Sequence, residues 1–279
     1  MIFFSLKQRL PIKPFMIGCL VLLLLYSSWI LYAYDRLWRG AAIVILYATF
    51  DVIWTYLRDR AWYIPSSSWI SGLILALVGT PSSGALGLLA IPFVAVFSKQ
   101  VIYLWRIRHI FNPAAFSLAV FAFLGALHPT LNVFAPTWWG IAWINPAYPF
   151  GGAALWLMAL VGVVIWWRQA RFHIVLSFVV LYSATLFMIQ GVAVWRNFWD
   201  STLIFFMAVM LIEPITSSFP LRRQRMIFGG LVAVFAGILA YFASTVAGFW
   251  FLWLDPFIGG LLLGNLVAGA LFLPRRAVA

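Results

Sequence analysis

The sequence predicts an all-α integral membrane protein of about ten transmembrane helices, arranged as two inverted five-helix repeats with broken helices. Three observations predict it. Of 279 residues, 65% are hydrophobic and only 9% are charged, where a soluble domain carries about a quarter charged residues. Ten apolar segments alternate with short connections. The basic residues fall almost wholly on every second connection. Such a composition leaves too little polar side chain to cover a water-soluble globule, which excludes a soluble enzyme, a nucleic-acid module and a disordered chain. The net charge of +12 therefore records basic loops beside a bilayer, and no nucleic-acid partner is expected. The single cysteine, Cys19, excludes an intrachain disulfide framework and an all-cysteine metal or iron–sulfur site.

A membrane span needs about 20 apolar residues, fewer where a helix is short or broken. The candidates are 15–34, 40–57, 67–80, 84–105, 112–128, 151–167, 173–193, 198–213, 226–246 and 257–273. The N-terminal pattern of Lys7, Arg9 and Lys13 before an apolar stretch superficially resembles a signal peptide. No small-residue cleavage site follows, so the segment is expected to remain as a helix. The third segment is too short to cross upright and ends in the turn residues Gly79-Thr80-Pro81-Ser82-Ser83-Gly84. It either crosses thinly or meets its successor as a half-helix.

With the N-terminus inside, the outer connections receive only Arg36, Arg39 and Arg196 of the 18 basic residues. This is the bias that governs insertion, and omitting the third span would scramble it for everything downstream. The expected location is the plasma membrane (the inner membrane of a bacterium), multi-pass, with both termini cytoplasmic. The stretch 129–150 then lies outside, uncharged, with Trp138, Trp139 and Trp143 near the headgroups.

The ten segments read as five used twice, over 1–128 and 151–279, with 129–150 as an outer interfacial or re-entrant connection. Trp69-Ile70-Ser71 opens the third segment and Trp199-Asp200-Ser201 the eighth; Asn112-Pro113 opens the fifth and Asp255-Pro256 the tenth. Proline suits a first helical turn, and Asn or Asp before it caps the exposed donors. An odd-numbered repeat inserts upside down. Inverted repeats with broken helices place a site near the midplane, where half-helix ends supply partial charges.

An ionisable residue at a helix centre costs about 2.5–3.5 kcal/mol on insertion scales, so each survivor needs a partner or a role. Asp35 and Asp59, beside Arg36 and Arg60, read as solvated charges at helix ends. Asp200 is interfacial, with Arg196 as its expected partner, and Asp255 is an N-cap. Asp51 is either a buried ligand or a group reaching the inner interface, and the sequence leaves both open. Glu213 is the most informative of the six acids. It follows an uncharged run from Leu203 to Ile212, Pro214 then breaks the helix, and Thr216, Ser217 and Ser218 add hydroxyls. Such a cluster binds a cation, a proton or the polar edge of an organic cofactor; the plainer reading pairs Glu213 with Arg222 or Arg223. The histidines His109, His128 and His173 fall at helix ends, and no helix offers the interior pair that a b-type haem needs. Neither haem, an iron–sulfur cluster nor a metal site is expected in this chain. No hydrolytic or phosphoryl-transfer motif occurs.

Several words of the sequence are familiar in order. Trp69-Ile70-Ser71-Gly72-Leu73-Ile74-Leu75-Ala76-Leu77 resembles a helix of the RnfD/NqrB family, whose members belong to the Rnf and NADH:quinone reductase complexes. Phe97-Ser98-Lys99-Gln100 is similar to its "F-G-K-Q", and Phe111-Asn112-Pro113-Ala114 to its "F-N-P-A". Glu213-Pro214-Ile215-Thr216-Ser217 resembles "D-P-V-T-S", and Asp255-Pro256 through Gly264-Asn265 fits as well. The resemblance implies a flavin-holding membrane subunit of an electron-transport complex. It would pass electrons between a soluble flavoprotein or iron–sulfur (ferredoxin-type) reductase and other membrane subunits, with or without coupled ion movement. Carried over by position, Lys99, Asn112, Glu213, Thr216 and Ser217 would lie near the flavin or its coupling ion, with Lys99 at a flavin phosphate. The family's covalent flavin hangs on the Thr of Ser-Gly-Ala-Thr. Here the nearest string, Ser83-Gly84-Ala85-Leu86, ends in Leu and precedes Asn112, and Thr137 falls in the right interval without the motif. The expected cofactor is therefore a non-covalent FMN or riboflavin. The alternative is a channel or transporter for a small solute on the same scaffold.

Overall fold

The structure, a computed structural model, describes residues 12–30, 34–79, 84–104, 108–127, 151–190, 200–213, 216–245 and 255–272. The connection 129–150, with Thr137, and the expected Asp200 partner Arg196 lie outside the described residues. Each predicted segment holds one helix. In chain order these are α1 (Ile12–Ile30), α2 (Asp35–Asp59), α3 (Ser66–Val78), α4 (Ala85–Val101), α5 (Pro113–Leu127), α6 (Gly151–Arg168) and α7 (Phe172–Gln190). There follow α8, α-helical over Ser201–Phe205 and π-helical over Phe206–Met210, then α9 (Arg222–Thr245) and α10 (Pro256–Phe272). Between α4 and α5 the chain reverses through two two-residue strands, β1 (Tyr103–Leu104) and β2 (Arg108–His109), paired antiparallel.

Among the described residues four helices, α1, α2, α7 and α9, are long and apolar enough to cross a membrane; the other six are shorter apolar helices. At 1.5 Å per residue, the 13 residues of α3 reach about 20 Å, short of a hydrocarbon core of about 30 Å. Large apolar side chains such as Leu22, Ile45, Leu157 and Leu176 face outward, as a lipid solvent requires. The expected caps form. Asn112 Oδ1 accepts from the Ala115 amide at 3.1 Å, and Asp255 Oδ1 from Phe257 at 2.9 Å and Ile258 at 3.2 Å. Asp200 caps α8 by accepting from Thr202 N at 3.0 Å.

In the first half α1 packs on α3, α2 on α3 and α4, and α4 on α5. In the second, α6 packs on α8, α7 on α9, and α9 on α10. The halves meet through α5 against α10 and, more lightly, α1 against α6. Polar side chains inside this packing bond backbone carbonyls. Ser117 of α5 donates to the Ile91 carbonyl of α4 at 2.7 Å, so its hydroxyl is satisfied where no water reaches. Arg36, expected on an outer connection, lies inside the packing. It is 2% exposed, and its Nη2 donates to the Leu77 carbonyl at 3.2 Å, at the C-terminal end of α3. The carboxylate of Asp35 pairs with Arg39 instead, one turn on, at 3.2 Å.

Small residues let α10 approach α9 closely. A Cβ added at Gly260 would stand 2.7 Å from the Ala236 backbone nitrogen. Gly260→Val is therefore expected to cost about 1–3 kcal/mol by overpacking, read as a lowered unfolding midpoint in detergent. Gly18→Ala in α1 meets nothing within 4 Å and serves as the neutral-to-stabilising control.

Candidate functional site

Asp51 settles the choice that its sequence position left open. It lies on α2 with its side chain wholly buried. Four donors from three surrounding segments converge on it. Lys99 Nζ and Gln100 Nε2, from the last turn of α4, each reach it at 2.5 Å. The hydroxyls of Ser68, in the first turn of α3, and of Tyr63, in the α2–α3 loop, also donate to it. An isolated buried carboxylate would be prohibitively costly, and a paired one is tolerated only when its remaining lone pairs are satisfied; here they are. Lys99 also reaches Ser67 Oγ at 3.3 Å and Ser68 Oγ at 3.2 Å. Gln100 passes the network outward by accepting from Arg58 Nη1 at 2.6 Å, and Arg58 pairs with Asp59 at 2.7 Å. Burial, and then the bond to Asp51, push the Tyr63 phenol up to about 12, so it stays a donor at neutral pH.

Glu213 closes the opposite wall. The last turn of α8 widens so that Leu211 N bonds Phe206 O at 2.9 Å, five residues back; such π-turns recur at functional sites. The Glu213 carboxylate accepts from Thr216 Oγ1 at 2.7 Å and faces His109 Nε2 at 3.5 Å, an ion pair whenever His109 is protonated. Among the described residues neither Arg222 nor Arg223 pairs with it, so the plainer reading fails. Ser217 turns away from the carboxylate. Its Oγ donates to the Glu213 carbonyl at 2.6 Å, and its own carbonyl accepts from Arg171. The turn after α8 is thereby tied down independently of the Glu213 charge.

Between these walls lies a cavity of about 370 Å³, bounded by Ile12, Met16, Ile70, Ile74, Pro113 and Val209 on its apolar sides and by Ser67, Ser71, Lys99, His109, Asn112 and Glu213 on its polar ones. Lys13 also lines it. A second, more open cavity of about 310 Å³ adjoins it, sharing Ser67, Lys99 and His109 and adding Thr55, Arg58, Tyr63 and Gln100. Of the residues singled out in the sequence, Lys99, Asn112 and Glu213 come together on one cavity. Thr216 and Ser217 stand behind Glu213 as supports.

The charges are largely compensated pairwise, Lys99 by Asp51 and Arg58 by Asp59. Lys99, expected at a flavin phosphate, already has its counter-charge. The arrangement offers one apolar and one hydrogen-bonding wall, with His109 and Glu213 side by side on the latter. Sequence reasoning missed the Asp51–Lys99–Gln100 network, Ser67, Ser68, Tyr63 and the place of His109. The available signal was the run Ser66-Ser67-Ser68 and the pair Lys99-Gln100 at the ends of otherwise apolar segments. Among the described residues no group of three His, Cys, Asp or Glu side chains is placed to hold a metal ion. Compared with known proteins, the chain matches no family model and no curated sequence.

Proposed function

We propose that this chain is the membrane subunit of an electron-transport complex. It binds a flavin non-covalently in the cavity and relays electrons between a soluble reductase and membrane partners. One observation carries this reading. Lys99, Asn112 and Glu213, which stand in three separate words resembling the RnfD/NqrB family, line a single cavity, and its volume falls within the range of cofactor pockets, about 300–1,000 Å³. The apolar walls suit the ring system of a flavin; the polar wall suits its hydrogen-bonding edge. Binding, orientation and proton exchange are the tasks of the chain's own residues, and the flavin supplies the redox chemistry.

The scaffold proposed for it is a pair of inverted five-helix repeats. In its support, α1 packs on α3 as α6 packs on α8, α2 on α4 as α7 on α9, and α4 on α5 as α9 on α10. The α1–α6 and α5–α10 contacts between halves join equivalent helices, as a two-fold relation demands. The lysine and arginine bias supports a cytoplasmic face of a plasma membrane for Lys13, Arg58 and Lys99, where a soluble flavoprotein or iron–sulfur reductase would reach the site.

The test is a visible spectrum of protein purified in mild detergent, followed by denaturation. A flavin spectrum that leaves the protein on denaturation is the expected result. A colourless preparation that takes up neither FMN nor riboflavin would overturn it. That outcome would favour the second reading, a channel or transporter for a small solute, for which the favouring observation is that the two cavities share Ser67, Lys99 and His109 as walls.

A further inference from the structure

Tyr47 of α2 is wholly buried, and among the described residues its hydroxyl has no hydrogen-bond partner. It stands one turn before Asp51 on the same face of α2. Asp51, Tyr63, Ser71 and Glu213 all act on the phenol, which therefore lies within reach of both polar walls of the site. Ser71 of α3 is its neighbouring hydroxyl, and the two fall short of hydrogen-bond geometry. The helices cannot slide together to close that gap. A Cβ added at the next residue, Gly72, would stand 2.9 Å from the Val44 Cα, so α2 and α3 already touch there. A buried hydroxyl without a partner is disfavoured, and phenylalanine would fill the same space without the penalty.

We propose that Tyr47 and Ser71 bind an ordered water molecule where the α2–α3 seam meets the polar cavity. Ser71 lines that cavity, whose volume of about 370 Å³ leaves ample room for a water. The Tyr47 hydroxyl donates to the water oxygen. The water donates in turn to Ser71 Oγ and across the cavity toward the Glu213 carboxylate, the acceptor facing the same space. A buried water is stable when several polar groups bond it, and this seam supplies them in a region otherwise lined by Ile70 and Ile74. A guest entering the cavity then bonds this water or replaces it with a polar atom of its own. The inference does not depend on the flavin reading.

The full chain in lipid bilayers, with tyrosine labelled by carbon-13 at Cζ, tests it through water-edited solid-state NMR. The Tyr47 signal is the one that Tyr47→Phe removes. Transfer from water to it is expected within about threefold of the rate at exposed Tyr34. Slower transfer overturns the site, since it means a dry hydroxyl. The sign of a second measurement is equally decisive. Tyr47→Phe keeps the ring and removes only the bonded oxygen, so it should lower the unfolding midpoint in detergent. A dry hydroxyl would do the opposite, and a raised or unchanged midpoint overturns the proposal.

Discussion

Lys99→Met is expected to lower the unfolding free energy by about 3 kcal/mol, the lower end for breaking one partner out of a buried ion pair. Denaturant titration in detergent micelles measures it. The reason is the position of Asp51, which has no exposed surface and cannot recover hydration when its cation is gone. The loss stays at the lower end because Gln100, Ser68 and Tyr63 continue to donate to the carboxylate. Adding Asp51→Asn to the same protein removes the stranded charge and should recover most of the loss. If Lys99→Met alone leaves the titration unchanged, the pair contributes nothing and the network is held by neutral hydrogen bonds.

Glu213→Gln should act on binding and spare the fold. The amide oxygen can still accept from Thr216, and the turn after α8 rests on Ser217 and Arg171 bonding backbone carbonyls. What disappears is the negative charge facing His109 and the cavity. Removing a charged hydrogen-bond partner is expected to weaken binding of the proposed flavin about ten- to a hundredfold, read by fluorescence quenching of riboflavin. The unfolding midpoint should match that of the parent. Unaltered affinity would reduce Glu213 to the end of a helix.

The apolar runs located all ten helices because hydropathy is a local property that each segment carries whole. The errors lie at the ends, and those at the starts of α2 and α9 share one cause. Hydropathy stops at the first charge, while a helix continues through it to reach the interface or a partner. Thus α2 begins at Asp35, five residues before the apolar run, since Arg36 is buried on α3 and Arg39 is paired. α9 likewise begins at Arg222, and Arg225 Nε in its first turn donates to the Phe219 carbonyl at 2.7 Å. α8 ends at Met210, before its apolar run does, in a π-turn that side-chain periodicity does not announce.

The site divides in the same way. Glu213 could be singled out because an acid before a proline, after an uncharged run, is conspicuous locally. Asp51 could not be assigned, since its burial depends on Lys99, 48 residues away, and no spacing rule joins them. Asn112 was legible as a cap, and its place on the cavity wall was not.

A rod of thirteen residues, α3 is pinned at both extremities. The Asp51 cluster sits at its positive pole, and the guanidinium of Arg36 sits at its negative one. Since Asp51 and Arg36 both belong to α2, these two rods travel as one body, and the floor of the polar chamber that α3 lines is rigid. Any breathing that admits or releases a guest is left to the other walls: α1, the stretch from His109 to Pro113, and α8, where Val209 lies within the widened turn and Glu213 just after it.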